Sequence, residues 1–212
     1  MGIGTALHYV GSVMLFVAMV LTIVVDISAP VVKNITFINL DLPGDADARM
    51  GVFGYCTTGG NGGDLVCSRS RVGYDPAKVL EGVDDADFSW GRADTTEALT
   101  RVFILHPVGT GVLAIALLLS LLPGSTIASI LAAVVSAVAF VINAVAVIVT
   151  FVVVNLLLGE VREGTGDGRY GNAVWISLAA AALSLIATIL LLFTCCAGRR
   201  RRARENRKSV RY

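Results

Sequence analysis

Long apolar stretches alternate with polar segments along the chain. Four of these stretches, residues 7–28, 102–122, 126–158 and 173–193, each provide about the 20 residues that a helix needs to cross a hydrocarbon core of about 30 Å. None of them contains Lys or Arg, and Asp26 is the only acidic residue within them. The pattern therefore predicts an α-helical membrane protein, in which four transmembrane helices form a left-handed bundle.

The charges outside the spans predict the orientation of the chain. The overall charge is only +1, but the segment after Phe193 is strongly basic, whereas the long segment between the first two spans is acidic. Because positive charge beside a span marks the cytosolic side, both termini are expected in the cytosol. The basic tail is also expected to attract anionic lipid.

These spans divide the chain into alternating membrane and soluble parts. The predicted parts are the cytosolic N-terminus with the first span (1–29), an extracellular domain (30–100), the second span (101–122), a short cytosolic loop (123–125), the third span (126–158), a second extracellular loop (159–172), the fourth span (173–193) and the cytosolic tail (194–212). The third span is longer than a bilayer requires, so it either tilts or projects outward to support the extracellular domain.

The extracellular domain has the pattern of a small antiparallel sheet. Residues 31–40 are rich in β-branched side chains, and residues 50–57 and 65–70 flank a glycine-rich turn, so these three segments are predicted strands. Residues 41–48 contain Pro and Gly and are predicted to form a loop.

Two cysteines lie on either side of the glycine-rich turn. Because Cys56 and Cys67 are both on the predicted oxidising side, a disulfide between them is expected to stabilise the small sheet. A metal site is disfavoured, since no His or further Cys lies nearby. Cys195 and Cys196 instead lie beside the basic tail, where they are either unmodified or candidates for palmitoylation.

Several surface residues are candidates for modification or for partner binding. Asn34 begins an Asn-Ile-Thr sequence that is a candidate N-glycosylation site. The aromatic residues Tyr55, Phe88 and Trp90 are predicted to anchor a partner, because exposed aromatic side chains are frequent interface anchors. Phe53 is instead expected to join the core of the sheet.

Four residues within the spans have side chains that suggest a specific role. Asp26 lies near the outer end of the first helix, either as a structural residue at the interface or as a functional charge. Asn143 is expected to form a hydrogen bond between helices, and His106 to serve packing rather than pH sensing. Pro107 is expected to kink its helix or to mark an extramembrane turn.

The sequence contains no pattern typical of an enzyme site. It has no nucleophile–base pair, phosphate-binding loop, paired carboxylates or metal-ligand cluster. The chain is therefore predicted not to be an enzyme, to need no cofactor or metal, and not to bind nucleic acid.

Taken together, these motifs resemble a known family. One span, an outer domain with Gly51-x-x-Gly54-x-Cys56 and a second Cys, and three further spans are similar to the claudin-like plan. More specifically, the chain resembles the fungal PalI family. The matching residues are Ile27–Val32 with its Pro30, Gly51, Phe53, Gly54, Tyr55, Cys56, Cys67, Gly73, Tyr74, Asp75, His106 and Pro107.

The resemblance implies a fungal plasma-membrane protein. PalI-type members assist a seven-helix sensor in ambient-pH signalling, which implies an accessory subunit that stabilises, sorts or regulates a larger membrane protein. Related tetraspan proteins mark cortical membrane patches, which leaves the alternative of a structural organiser of such patches or of cell-wall contact. That alternative would act through homo-oligomers.

Overall fold

Four helices and a five-stranded sheet make up the computed structural model, which describes residues 3–42, 46–58, 63–70, 102–122, 126–163 and 167–209. The helices are α1 (Ile3–Asp26), α2 (Leu105–Leu121), α3 (Thr126–Glu163) and α4 (Asn172–Ser209). A single 3-10 turn, Val102–Ile104, precedes α2. The four predicted helices are therefore confirmed.

Three of the four helices contain a segment that is long and apolar enough to cross a membrane. These segments are Ala6–Asp26, Ile127–Gly159 and Asn172–Cys195, whereas α2 is equally apolar but has only 17 residues. Helix α2 still packs within the bundle, against α1 and α3. The chain is a membrane protein with a four-helix bundle, as its apolar pattern predicts.

Small side chains line the contacts between the helices. A Cβ atom on Gly11 of α1 would lie 3.4 Å from Leu191 of α4, so these two helices approach closely. Between α3 and α4, the Ser136 hydroxyl lies 2.6 Å from the Thr188 hydroxyl. Thr188 already donates its proton to the Ser184 carbonyl, so Ser136 is the donor. Close approach and internal hydrogen bonds stabilise helix pairs in lipid.

The sheet is antiparallel and has the strand order β4-β3-β2-β1-β5. Its strands are β1 (Ile38–Leu42), β2 (Ala46–Met50), β3 (Tyr55–Thr58), β4 (Leu65–Cys67) and β5 (Asp167–Tyr170). The predicted antiparallel sheet is confirmed, but the bounds of its three predicted strands were wrong: β3 begins at Tyr55 rather than at residue 50, and β4 ends at Cys67 rather than at residue 70. The first strand begins at Ile38 rather than at residue 31, and the segment before it forms turns.

Two further strands lie in segments that were predicted to be loops. Strand β2 occupies part of the predicted 41–48 loop. Its buried positions alternate with polar ones, but two of the three are alanines, Ala46 and Ala48, which have low β propensity. Strand β5 comes from the second connection, 159–172, which was predicted to be a loop. Its four residues are mostly polar, and they become a strand only by pairing with β1. Strand pairing that depends on a distant segment leaves little local signal.

The inner face of the sheet packs on one end of the bundle, called here the sheet end. Phe37, Ile38 and Leu40 form one buried cluster with Val154 and Leu158 near the end of α3. The end of the long third helix therefore packs against the sheet, in agreement with one of the two alternatives given for its extra length.

Candidate functional site

The turn after α1 and the loop between β2 and β3 interlock, and the motif residues Pro30, Gly51 and Gly54 lie at this contact. The Val52 amide donates to the Ser28 hydroxyl at 3.0 Å, and the Ala29 amide donates to the Ile35 carbonyl at 2.9 Å. A Cβ on Gly51 would collide with the Ala29 carbonyl oxygen and would lie 2.7 Å from the Ala29 nitrogen. Glycine is therefore required for the two backbones to touch. We call this contact the joint.

The joint continues into the disulfide-bonded strand pair. A Cβ on Gly54 would lie 2.5 Å from the Ser68 hydroxyl and 3.1 Å from Pro30. That same hydroxyl accepts a hydrogen bond from the Tyr55 amide at 3.1 Å. The predicted disulfide is confirmed: Cys56 and Cys67 face each other across β3 and β4 and are bonded, with an S–S distance of 2.08 Å.

A second contact ties β1 to α4. The Gly171 amide donates to the Phe37 carbonyl at 2.8 Å, and the Ala173 amide donates to the Thr36 carbonyl at 3.0 Å. A Cβ on Gly171 would collide with the Thr36 carbonyl. Sequence reasoning missed Gly171. The one sign of it in the sequence was a glycine two residues before a predicted span.

An aromatic stack links the sheet to α2. The rings of Phe37 and Phe103 stack with centroids 5.5 Å apart, and the His106 ring lies 5.5 Å from that of Phe37. His106 is 2% exposed and lies 3.2 Å from the Thr150 hydroxyl of α3. Since Thr150 donates its own proton to the Ala146 carbonyl, His106 Nε2 is the donor. Pro107 lies in the first turn of α2, where its missing N–H breaks no helical hydrogen bond.

Asp26 and Asn143 lie deeper in the bundle. The Thr110 hydroxyl donates to Asp26 Oδ2 at 2.7 Å, while Asp26 Oδ1 is buried without a hydrogen-bond partner among the described residues. The expected interhelical bond of Asn143 is wrong, because its amide donates to the Ala139 carbonyl of its own helix at 3.0 Å. Asn143 nevertheless contacts α2, since its Oδ1 lies 2.6 Å from where a Cβ on Gly109 would be.

The outer face of the sheet carries two rows of charge, across β2, β1 and β5. Strand pairing places Asp47, Asp41 and Asp167 side by side, which we call the acidic row. Arg49 and Arg169 flank Asn39 in the neighbouring row, which we call the basic row. An ion pair of 3.5 Å joins Arg169 to Asp41. Beside the rows, a groove of about 320 Å³ extends toward Lys33 and Asn34.

The remaining candidate residues differ in their surroundings. Asn34 is exposed, and Cys195 is a half-buried free thiol near the end of the apolar part of α4. Tyr55 is half-buried and packs against the core, as Phe53 does, so its prediction as an exposed anchor needs correction. Five further candidates lie outside the residues that the structure describes: Gly73, Tyr74, Asp75, Phe88 and Trp90.

The arrangement defines a class of protein. Within the described part of the chain, no group of three His, Cys, Asp or Glu side chains is placed to hold a metal. The motif residues that the structure describes connect a disulfide-bonded sheet to a four-helix membrane bundle, which is the claudin-like architecture. The model of the SUR7/PalI family matches residues 4–187, and the chain belongs to this family.

The chain is also similar to named fungal proteins over about half of its length. It is 35% identical over 97 residues to the pH-response regulator protein palI/prr-5 of Neurospora crassa, covering 46% of this chain and 13% of the relative. It is 36% identical over 110 residues to the pH-response regulator protein palI/RIM9 of Yarrowia lipolytica, covering 52% of this chain and 13% of the relative. The palI/RIM9 protein of Emericella nidulans is 31% identical over 98 residues, 46% of this chain and 16% of the relative. The matches therefore span less than a fifth of each relative.

Proposed function

We propose that this protein is a non-enzymatic accessory subunit that stabilises, sorts or regulates a larger integral membrane protein in the response to ambient pH. The pH-response names of its relatives support the pathway. The joint also supports the accessory role. The motif residues in it have a structural part, because they hold the sheet on the bundle. Gly51, Ser28 and the disulfide contribute packing and hydrogen bonds.

The position in the membrane is part of the proposal. The basic tail favours a plasma-membrane protein with both termini in the cytosol, where Arg199–Arg202 attract anionic lipid. Cys195 and Cys196 are then available for acylation. The sheet, with Asn34 as a candidate glycan acceptor, faces outward and presents its surface to the partner. Phe88 and Trp90 remain proposed anchors of that contact.

Affinity purification of the full chain from gently solubilised membranes tests the accessory role. A larger membrane protein is expected to co-purify in a fixed stoichiometric ratio. Recovery of this chain alone, or only with further copies of itself, would contradict the proposal.

The charge rows favour a second candidate function, which is self-association. A two-fold axis that lies parallel to the rows would place the basic row of one copy opposite the acidic row of another. Such a self-complementary patch is what a symmetric dimer requires. This function corresponds to the alternative of a structural organiser of membrane patches or of cell-wall contact that acts through homo-oligomers. Because exposed ion pairs are weak individually, such contacts are expected to be sensitive to salt.

Exchanging the rows separates the two functions. The variant with Arg49→Asp and Arg169→Asp has an acidic face and is expected to lose self-association. Adding Asp47→Arg and Asp167→Arg restores a self-complementary face, so this exchanged chain should bind itself but not the original chain. Co-purification of two differently tagged copies at low salt measures each pairing. Self-association that is unchanged in the first variant would exclude this face as the interface.

His106 is expected to have a structural role rather than to sense pH. It is buried between Phe37 and Thr150 and donates one hydrogen bond, which glutamine can replace. We expect His106→Gln to leave the external pH of the half-maximal response unchanged. His106→Leu, which lacks the donor, should lower the protein level without moving that midpoint. A midpoint that shifts in His106→Gln at normal protein level would make His106 the sensor.

A further inference from the structure

An aromatic cluster lies on the surface where α3, β5 and α4 meet. The ring of Tyr170 lies 6.1 Å from that of Phe151 and 6.5 Å from that of Trp175. Trp175 is 58% exposed and Tyr170 is 36% exposed. The Tyr170 hydroxyl donates to Asn155 Oδ1 at 2.8 Å, which joins the strand to the helix. We call Phe151, Tyr170 and Trp175 the aromatic cluster.

Asn155 is a polar residue on the surface of α3, close to the sheet end. It is an exposed amide in the apolar segment Ile127–Gly159, and its Nδ2 donates to the Phe151 carbonyl at 2.7 Å. An exposed polar side chain within the hydrocarbon core is costly. At 1.5 Å per residue, the segment from Ile127 to Phe151 already extends about 36 Å, enough to cross a core of about 30 Å with some tilt.

The chemistry of the cluster matches one particular environment. Tyr and Trp combine an apolar ring with one polar group, and they are enriched where the acyl chains meet the headgroups. Trp175 lies in the first turn of α4, at the start of the apolar segment Asn172–Cys195. At the opposite end of the bundle, the exposed Tyr9 lies near the start of the α1 segment. Exposed aromatic rings, Trp175 and Tyr9, therefore lie at both ends of the apolar part of the bundle.

We propose that the aromatic cluster is an interfacial anchor that lies at the boundary between headgroups and acyl chains, in the leaflet on the sheet side. The last turns of α3, beyond Phe151, then stand above the hydrocarbon and carry the sheet. This position explains why the apolar segment of α3 is longer than a bilayer requires. Through Tyr170, the same anchor sets the height of the sheet above the membrane.

Depth-dependent fluorescence quenching tests this position. The chain has two tryptophans, so Trp90→Phe leaves Trp175 as the single reporter. The full chain is reconstituted into phosphatidylcholine vesicles that carry bromine either near the carbonyl end of the acyl chains or near the bilayer centre. We expect the shallow bromines to quench Trp175 about twofold more strongly than the deep ones. If Trp90→Phe does not fold, the quenching of Trp175 is obtained instead from the difference in fluorescence between the original chain and Trp175→Phe.

Two results would overturn the proposal. Stronger quenching by the deep bromines would place Trp175 inside the hydrocarbon. Absence of quenching by either lipid would mean that water, another protein or a second copy of this chain covers Trp175. In a matched measurement, Trp175→Tyr keeps an aromatic ring with a polar group, whereas Trp175→Ala does not. The fraction of reconstituted chains that have the original orientation should therefore be larger for Trp175→Tyr than for Trp175→Ala.

Discussion

Replacement of Gly51 by alanine is expected to prevent the sheet from docking on the helices. The added methyl group would collide with the backbone of Ala29, which cannot move aside as a flexible side chain can. The turn that contains Ala29 is held by the hydrogen bonds of Ser28 and Ile35, so displacement of this turn would break the joint. Overpacking in a core costs about 1–3 kcal/mol, and a collision between two backbones should reach the upper end of that range. Thermal unfolding in detergent and the yield of folded protein measure the loss.

Gly111→Ala is the matched control for this prediction. A Cβ on Gly111 would meet no atom within 4 Å apart from the backbone of its own helical turns, and alanine has a higher helix propensity than glycine. This variant should unfold at the original temperature or slightly above it. Equal stability of Gly51→Ala and Gly111→Ala would contradict the close contact in the joint.

Loss of the disulfide is expected to have a comparably large effect. Cys56→Ser should lower the free energy of unfolding by about 2–5 kcal/mol, the usual cost of removing a native disulfide from a small domain. Strand β4 has only three residues and pairs with β3 alone among the described strands, so little else restrains it. The melting temperature of the full chain, measured with and without reductant, tests the prediction.

The free thiol provides the internal control for this experiment. Cys195 lies far from the sheet along α4, so Cys195→Ser should leave both the melting temperature and its response to reductant unchanged. Thiol labelling of the unreduced protein should modify Cys195 but not Cys56. Labelling of Cys56 without reductant would contradict the disulfide.

The sequence by itself determined the membrane class and the four helices. These features depend on properties that are local to a segment, because a run of apolar residues of bilayer length has few alternative structures. The disulfide was also predictable, since the two cysteines flank a short turn and approach each other as soon as the hairpin forms. Gly51 and Gly54 could be recognised as motif residues, but their pattern does not say which backbone approaches them.

The tertiary structure alone decided the sheet and its attachment. Strand β5 comes from a polar segment more than a hundred residues away from β1, and two of the three buried positions of β2 are alanines. Strand β5 has no apolar alternation of its own, and the alternation in β2 begins with two alanines, which have low β propensity, so both strands depend on pairing and on the surface they cover. The contacts of Gly51 with Ala29 and of His106 with Phe37 likewise join distant parts of the chain. The apolar pattern of a sequence predicts which residues are buried or lie in the membrane. Only the folded structure shows which of these residues are in contact with one another.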